Sequence, residues 1–538
     1  MYRNRSRNRN ALESICDCLS SADCYTAIMS KPLFSWLNQR SAGLFCHLSS
    51  VPSDTGIGNT GAGARQLIDL LQAAGIRHWQ FCPLGPTGFG DSPYQSFSAF
   101  AGNPLLIDWQ PLVEAGWIDN NALDPLRALP SDQTDYQALE KAFYPLLRAA
   151  YAQFCKSGAH EMPGAATDFD SFCEEQADWL DGYCRFMTLK QQFDDQPWYE
   201  WPAKHRSYAK DCQLKPSKEA AAEARYHAFG QYLFFAQFQN LRRYANERQV
   251  CLIGDIPIFV ALDSADVWSH PELFQLDKQG RPTHVAGVPP DYFAADGQLW
   301  GNPLYDWQAH AADGYAWWMR RFAANAMLTD IVRIDHFRGF ESHWSVAHGE
   351  PNARNGQWET GPGLAFFQAL KQKMPEVKLI AEDLGEITPA VRQLLAQTGL
   401  PGMAVLQFAF DPGDDSLFLP HNHTPNSVVY TGTHDNDTTR GWYRQAPESV
   451  RDFTRRYLSI SGDSIAWDFI RSAYRSPARI AIAPLQDFLN LDSEARFNLP
   501  GTALGNWRWR CQGWQLEQLR RDSAPYLHEL AQLYRRLP

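Results

Sequence analysis

The chain has 538 residues, 44% hydrophobic and 20% charged, with 36 Gly and 34 Pro. These are globular proportions, and they exclude a collagen-like or low-complexity chain. A net charge of −11 argues against a nucleic-acid or anionic-membrane surface.

No apolar run reaches the ~18–20 residues of a membrane-spanning helix, and eleven scattered cysteines fit a reducing compartment, so a cytoplasmic protein is expected. Residues 1–28 read as a leader, disordered or not native to the fold. They carry Arg3, Arg5, Arg7 and Arg9 between Asn and Ser, with no apolar stretch behind them, which excludes a secretory signal. Cys16, Cys18 and Cys24 lack the His pair or second Cys pair of a zinc site. Residues 29–538 are expected to form one catalytic unit.

Gly43 to Ser50 reads as a buried strand, and Trp79 to Leu84 as another. Between them Ala64, Leu67, Ile68 and Leu71 recur at helical spacing. Strand, helix and strand with short connections predict a βαβ unit and a parallel sheet. From about 109 to 245 the sequence is helical, with stripes such as Leu139, Phe143, Leu146, Ala150 and Phe154, or Phe234, Phe238, Leu241 and Ala245. The part to about residue 225 reads as a helical insertion.

In the second half four apolar runs each end in a carboxylate: Leu252 to Asp255, Ile331 to Asp335, Leu379 to Asp383 and Val428 to Asp435. Buried parallel strands read as apolar runs, and acids at their C-terminal ends lie where a (β/α)8 barrel keeps its chemistry. The expected fold is α/β, a (β/α)8 TIM barrel with helical insertions between barrel strands.

Asp335, Glu382 and Asp435 then become candidates for glycosyl transfer. That chemistry needs one carboxylate at the anomeric carbon and one protonated carboxyl at the leaving oxygen, and a third acid nearby raises the proton donor's pKa. Arg333 beside Asp335 favours its ionised form; the alternative is that strand-end acids only pair with Arg333 and Arg338. The segment His434 to Asp437 is rich in ligand-type side chains, but a metal hydrolase wants more histidines, so no metal is expected. No phosphate-binding glycine motif appears, so no nucleotide cofactor is expected either. The stretch 270–307, with Val285 to Phe293 and Gly297 to Pro303, reads as a Pro-stiffened aromatic loop over the barrel mouth. Nineteen Trp fit a protein that stacks on sugar rings, although a large core also uses them.

Six ordered blocks carry a resemblance: Gly90 to Ser96, Ile253 to Ile258, Gly287 to Phe293, Arg333 to Gly339, Ala381 to Gly385 and Thr433 to Asp437. The stretches Asn498 to Thr502 and Gly505 to Arg510 extend it. Together they resemble glycoside hydrolase family 77, the amylomaltases or 4-α-glucanotransferases, from about Ser41 to Arg510. The resemblance implies Asp335 as nucleophile, Glu382 as general acid/base and Asp435 as transition-state stabiliser. It implies that Arg333 and His434 bind the same sugar, that Ser92, Tyr94, Asp255 and Trp300 contact the glucan, and that Asp291 lies on a mobile loop. It implies no metal or organic cofactor, and malto-oligosaccharides and α-1,4-glucans as partners. The implied reaction is a retaining double displacement onto a glucan 4-hydroxyl; a retaining α-glucan hydrolase and a non-catalytic glucan-binding protein are the alternatives. Residues 1–28 have no counterpart in that pattern.

Overall fold

The structure is a computed structural model that describes residues 31–290, 295–413, 415–502 and 504–537. The expected leader and Asp291, with Tyr292 and Phe293, lie outside the described residues. Among the described residues twelve strands form two sheets. In chain order they are β1 (Ser41–Phe45), β2 (His78–Gln80), β3 (Cys251–Ile256), β4 (His284–Val288), β5 (Gln298–Pro303) and β6 (Ile331–Ile334). There follow β7 (Ser342–Ala347), β8 (Gly356–Thr360), β9 (Leu379–Ala381), β10 (Gly402–Val405), β11 (Ser427–Tyr430) and β12 (Ile480–Pro484).

Eight of these, β1, β2, β3, β6, β9, β10, β11 and β12, pair in parallel in chain order, with β12 returning to β1. Both faces of such strands are covered, which is why Ile331–Ile334 and Ile480–Pro484 are buried at every position. The sheet closes into a barrel across the β9–β10 edge by other means. The Ala381 N–H donates to the Pro401 carbonyl at 2.9 Å, and the Met403 N–H donates to the Asp383 carboxylate at 2.6 Å. Gly402 makes this approach possible, since a Cβ there would lie 2.4 Å from Asp383 Oδ2. Helices cover the barrel; Ala64, Leu67, Ile68 and Leu71 on Ala62–Ala73 are fully buried. No helix among the described residues is long and apolar enough to cross a membrane.

Several boundaries differ from the sequence reading. The first strand ends at Phe45, and Leu48–Ser50 is a short 3-10 turn. On the helix Tyr136–Ser157 the inward residue is Leu147, with Leu146 half-buried beside it. No break falls at residue 225, because one helix runs from Lys218 to Glu247. Its first half packs on the insertion helices, with Phe229 against Phe154 and Phe169, and further along Phe238 meets Phe81 beside β2. The stretch 270–307 is not one loop. It contains β4 and β5, half of an antiparallel sheet ordered β5-β4-β7-β8. The partners β7 and β8 come later in the chain, so the pairing left no local signal.

Candidate active site

Strand register assembles the site. Asp255 on β3 lies opposite Arg333 on β6, and neighbours in register share one face of a sheet. Arg333 Nη1 therefore reaches Asp255 Oδ2 at 2.5 Å, and its Nη2 lies 3.1 Å from Asp335 Oδ1, two residues on and on the same face. Next door Ile334 pairs with Ala381, so Asp335 and Glu382 leave β6 and β9 at one level. The Glu382 N–H donates to the Ile334 carbonyl at 3.0 Å, and the Phe337 N–H donates to the Glu382 carbonyl at 2.9 Å.

The Glu382 carboxyl is held at both oxygens, accepting the His336 N–H at 2.7 Å and the Leu384 N–H at 2.8 Å. His336 adopts φ 49°, ψ 51° to present that N–H, a left-handed conformation that costs a non-glycine residue about 1–2 kcal/mol. Its ring meets the Trp300 ring edge-on, centroids 4.9 Å apart. Trp300 thus enters the site from β5, while Phe259 and His343 pack behind it.

Asp435 is placed differently from the sequence reading. It lies beyond the end of β11 in a turn, and β10 stands between β9 and β11, so it is neither a strand-end acid nor on a unit adjacent to Glu382. Asn498 Nδ2 donates to its Oδ1 at 2.6 Å, and Arg496 donates to its backbone carbonyl at 2.7 Å. His434, its neighbour, stacks on Tyr94 with centroids 5.0 Å apart, and Trp507 closes the aromatic group at 5.9 Å from both rings. The Tyr94 hydroxyl donates to Asp255 Oδ2 at 2.8 Å. Ser92 sits two residues away, half-buried, its hydroxyl accepting the Tyr94 N–H at 3.3 Å. Asn498, Arg496 and Trp507 carry no role in the sequence reading. Asn498 and Trp507 belong to blocks that resemble the family's ending and Arg496 lies just before the first, but their contact with Asp435 and His434 arises only in the folded chain.

One guanidinium thus serves several acids. Arg333 does not belong to Asp335 alone, as the sequence suggested; it is shared with the almost wholly buried Asp255. Burial, then the negative charges of Asp255, Glu382 and Asp435, raise the Asp335 carboxyl well above the ordinary carboxylate range, against the pull of Arg333. Burial also raises Glu382, with Arg333 and the two backbone N–H groups opposing. Burial and Arg338 push the His336 imidazole down to about 3, so it is neutral at pH 7. Burial in a cleft of this kind favours keeping a proton among its carboxyls, and aromatic rings surround them. No cluster of three or more His, Cys, Asp or Glu among the described residues is arranged to hold a metal ion.

Residues 46–517 match the profile of a glycoside hydrolase 77 family described as 4-α-glucanotransferase. The 4-α-glucanotransferase of Thermus thermophilus is 47% identical over 479 residues, 88% of this chain and 94% of that protein. That of Synechocystis is 45% identical over 499 residues, 92% of this chain and 98% of the relative. The solved amylomaltase of Streptococcus agalactiae, in complex with acarbose, superposes with a TM-score of 0.87 at 35% identity, covering 93% of this chain and all of that one.

Proposed function

The chain belongs to the 4-α-glucanotransferases of glycoside hydrolase family 77, enzymes that move α-1,4-glucan segments between maltodextrins, and from that premise we propose that its transfer runs by double displacement on Asp335, Glu382 and Asp435. The observation that carries this reading is Arg333, 3.1 Å from Asp335, at a cluster of carboxyls whose burial favours keeping a proton. The contact with Arg333 favours the anion at Asp335, which leaves the proton to Glu382.

An Asp335 carboxylate oxygen attacks the anomeric carbon while the bond to the leaving glucan breaks, and Glu382 gives its proton to the leaving oxygen. The product is a β-glucosyl ester and a Glu382 carboxylate. The 4-hydroxyl of a second glucan then gives its proton to Glu382 as its oxygen attacks the same carbon. The ester bond breaks, Asp335 regains its charge, and two inversions restore the α configuration. The His336 and Leu384 N–H groups orient the Glu382 carboxyl through both half-reactions. Asp435, Arg333 and His434 hold the sugar at the point of cleavage; Tyr94, Ser92, Asp255 and Trp300 line its path, and Asp291 is assigned to substrate binding with them. A cytoplasmic setting is part of this reading, supported by the eight unpaired cysteines among the described residues.

Glu382→Gln with α-glucosyl fluoride tests the assignment, because fluoride leaves without a proton. The first step then proceeds and the second stalls, so a glucosyl ester accumulates on Asp335, readable by peptide mass. Label on Glu382 or Asp435 overturns the roles. Maltotriose separates transfer from hydrolysis: glucose plus chains longer than the substrate at constant reducing ends mark transfer, and steadily rising reducing ends mark a hydrolase.

A further inference from the structure

The helix Ala177–Gln192 carries a glycine in its interior, Gly182, and this residue is buried. Glycine weakens a helix interior relative to alanine, and here neither usual reason for one applies. The backbone is helical, and an added Cβ would meet nothing nearer than 3.9 Å, at Ser269 and the Tyr208 hydroxyl. What the missing side chain provides is space. Gly182 forms part of the wall of a cavity of about 300 Å³ between the insertion and the barrel helix Ala316–Leu328, within the range of small-molecule sites. None of the candidate active-site residues lines it.

The lining has a definite chemistry. Trp179, Tyr183, Tyr208 and Trp317 supply aromatic walls. Trp317 is 1% exposed and held in the core, so its ring is a fixed part of that wall. Asp266, 4% exposed, takes the Ala99 N–H on Oδ2 at 2.7 Å and retains acceptor capacity on its second oxygen. Glu175 and Asp178 add negative charge at the rim, against Arg320, so an anion is disfavoured. Flat apolar walls beside acceptor oxygens suit a neutral ring that has C–H faces and several hydroxyls.

We propose that this cavity is a binding site for one neutral hexopyranose, glucose or the terminal glucosyl unit of a short maltodextrin, separate from the catalytic cleft. The choice of sugar rests on the transferase activity, in which glucose is released from short donors; the site itself rests on Gly182, Trp317 and Asp266. One wall of the cavity is joined to the cleft along the chain. Asp266 holds Ala99, and the Ala265 N–H donates to the Phe97 carbonyl at 2.8 Å. Phe97 and Ala99 continue the segment whose Tyr94 touches Asp255 and His434.

The test is a glucose soak of crystals of the full chain, together with calorimetric titration of glucose into wild type and two variants. Gly182→Leu occupies the cavity with a residue that favours the helix, and Trp317→Phe replaces the indole by a smaller ring and so removes part of the aromatic wall. The expected result is a glucose ring against Asp266 and Trp317 in wild type, with two calorimetric binding events. Gly182→Leu loses one event and keeps transfer from maltotriose; Trp317→Phe weakens that event about tenfold through lost contact with the ring face. Ordered water only in the soaked cavity overturns the proposal, as does an identical titration in wild type and Gly182→Leu. A cavity that takes tetramethylammonium and refuses glucose overturns the ligand class. Because binding is read directly, these outcomes do not depend on the roles assigned to Asp335, Glu382 or Asp435.

Discussion

Asn498→Ala removes the side-chain amide that hydrogen-bonds the Asp435 carboxylate. The bond removed is 2.6 Å long and ends on a charged acceptor, a class that contributes about 1.5–3 kcal/mol when shielded from water. Asp435 has 48% of its side chain exposed, so water recovers part of that, and a figure just under the lower end, about 1.4 kcal/mol, is the better one. Arg496 still holds the Asp435 carbonyl at 2.7 Å, and His434 still lies 3.4 Å from its carboxylate, so the carboxylate loosens without leaving the site. A loss of about 1.4 kcal/mol in transition-state stabilisation is a tenfold fall in kcat/KM. It is expected in kcat, because Asp435 is assigned to the transition state. A half-exposed contact of this kind moves stability by about 0.5 kcal/mol at most, so the melting temperature stays close to wild type. The assay is maltotriose disproportionation in a double-mutant cycle with Asp435→Asn. If Asn498 acts only through Asp435, its removal is silent in the Asp435→Asn background. Additive losses, or a rise in KM with kcat unchanged, would refute the reasoning.

Three further outcomes follow from the same contacts. Asp335→Asn abolishes transfer and raises the melting temperature at pH 7. Burial and the negative charges of Asp255, Glu382 and Asp435 disfavour the Asp335 anion in the folded chain relative to the unfolded one, so its cost to stability appears above the ordinary carboxylate range, grows with pH and vanishes in acid; a variant less stable than wild type at pH 7 contradicts this. Trp300→Ala removes the ring against His336 that lines the glucan path; an acceptor sugar that loses this stacking face leaves the ester to water, so the share of hydrolysis rises, measured as reducing ends per glucose released, and an unchanged share assigns Trp300 elsewhere. Gly402→Ala drives a methyl to 2.4 Å from Asp383 Oδ2 at the barrel's closing edge, destabilising the fold by about 1–3 kcal/mol as overpacking does, and a melting temperature within a degree of wild type shows that the edge gives way freely.

Sequence alone determined a good deal of this protein, for a local reason. Barrel strands are buried on both faces, so Ile331 to Ile334 and Leu379 to Ala381 read as apolar runs, and a polar residue just beyond such a run, as at Asp335 and Glu382, stands out. The helix Ala62–Ala73 was legible because its apolar spacing is a property of twelve consecutive residues. Short strands with plainer text, β10 and β12, left no comparable mark. Tertiary structure alone decided whatever depended on a partner distant in the chain. Only strand register shows that Asp255 and Asp335 share Arg333, and only sheet order shows β10 standing between Glu382 and Asp435. The antiparallel sheet hidden in 270–307 needed β7 and β8 from further along, and the grip of Asn498 on Asp435 crosses more than sixty residues. Local periodicity records which side of an element is buried. Which other element buries it is fixed by the whole packing of the chain, and on that depend the shared charge, the helix glycine beside a cavity and the carboxylate that closes the barrel.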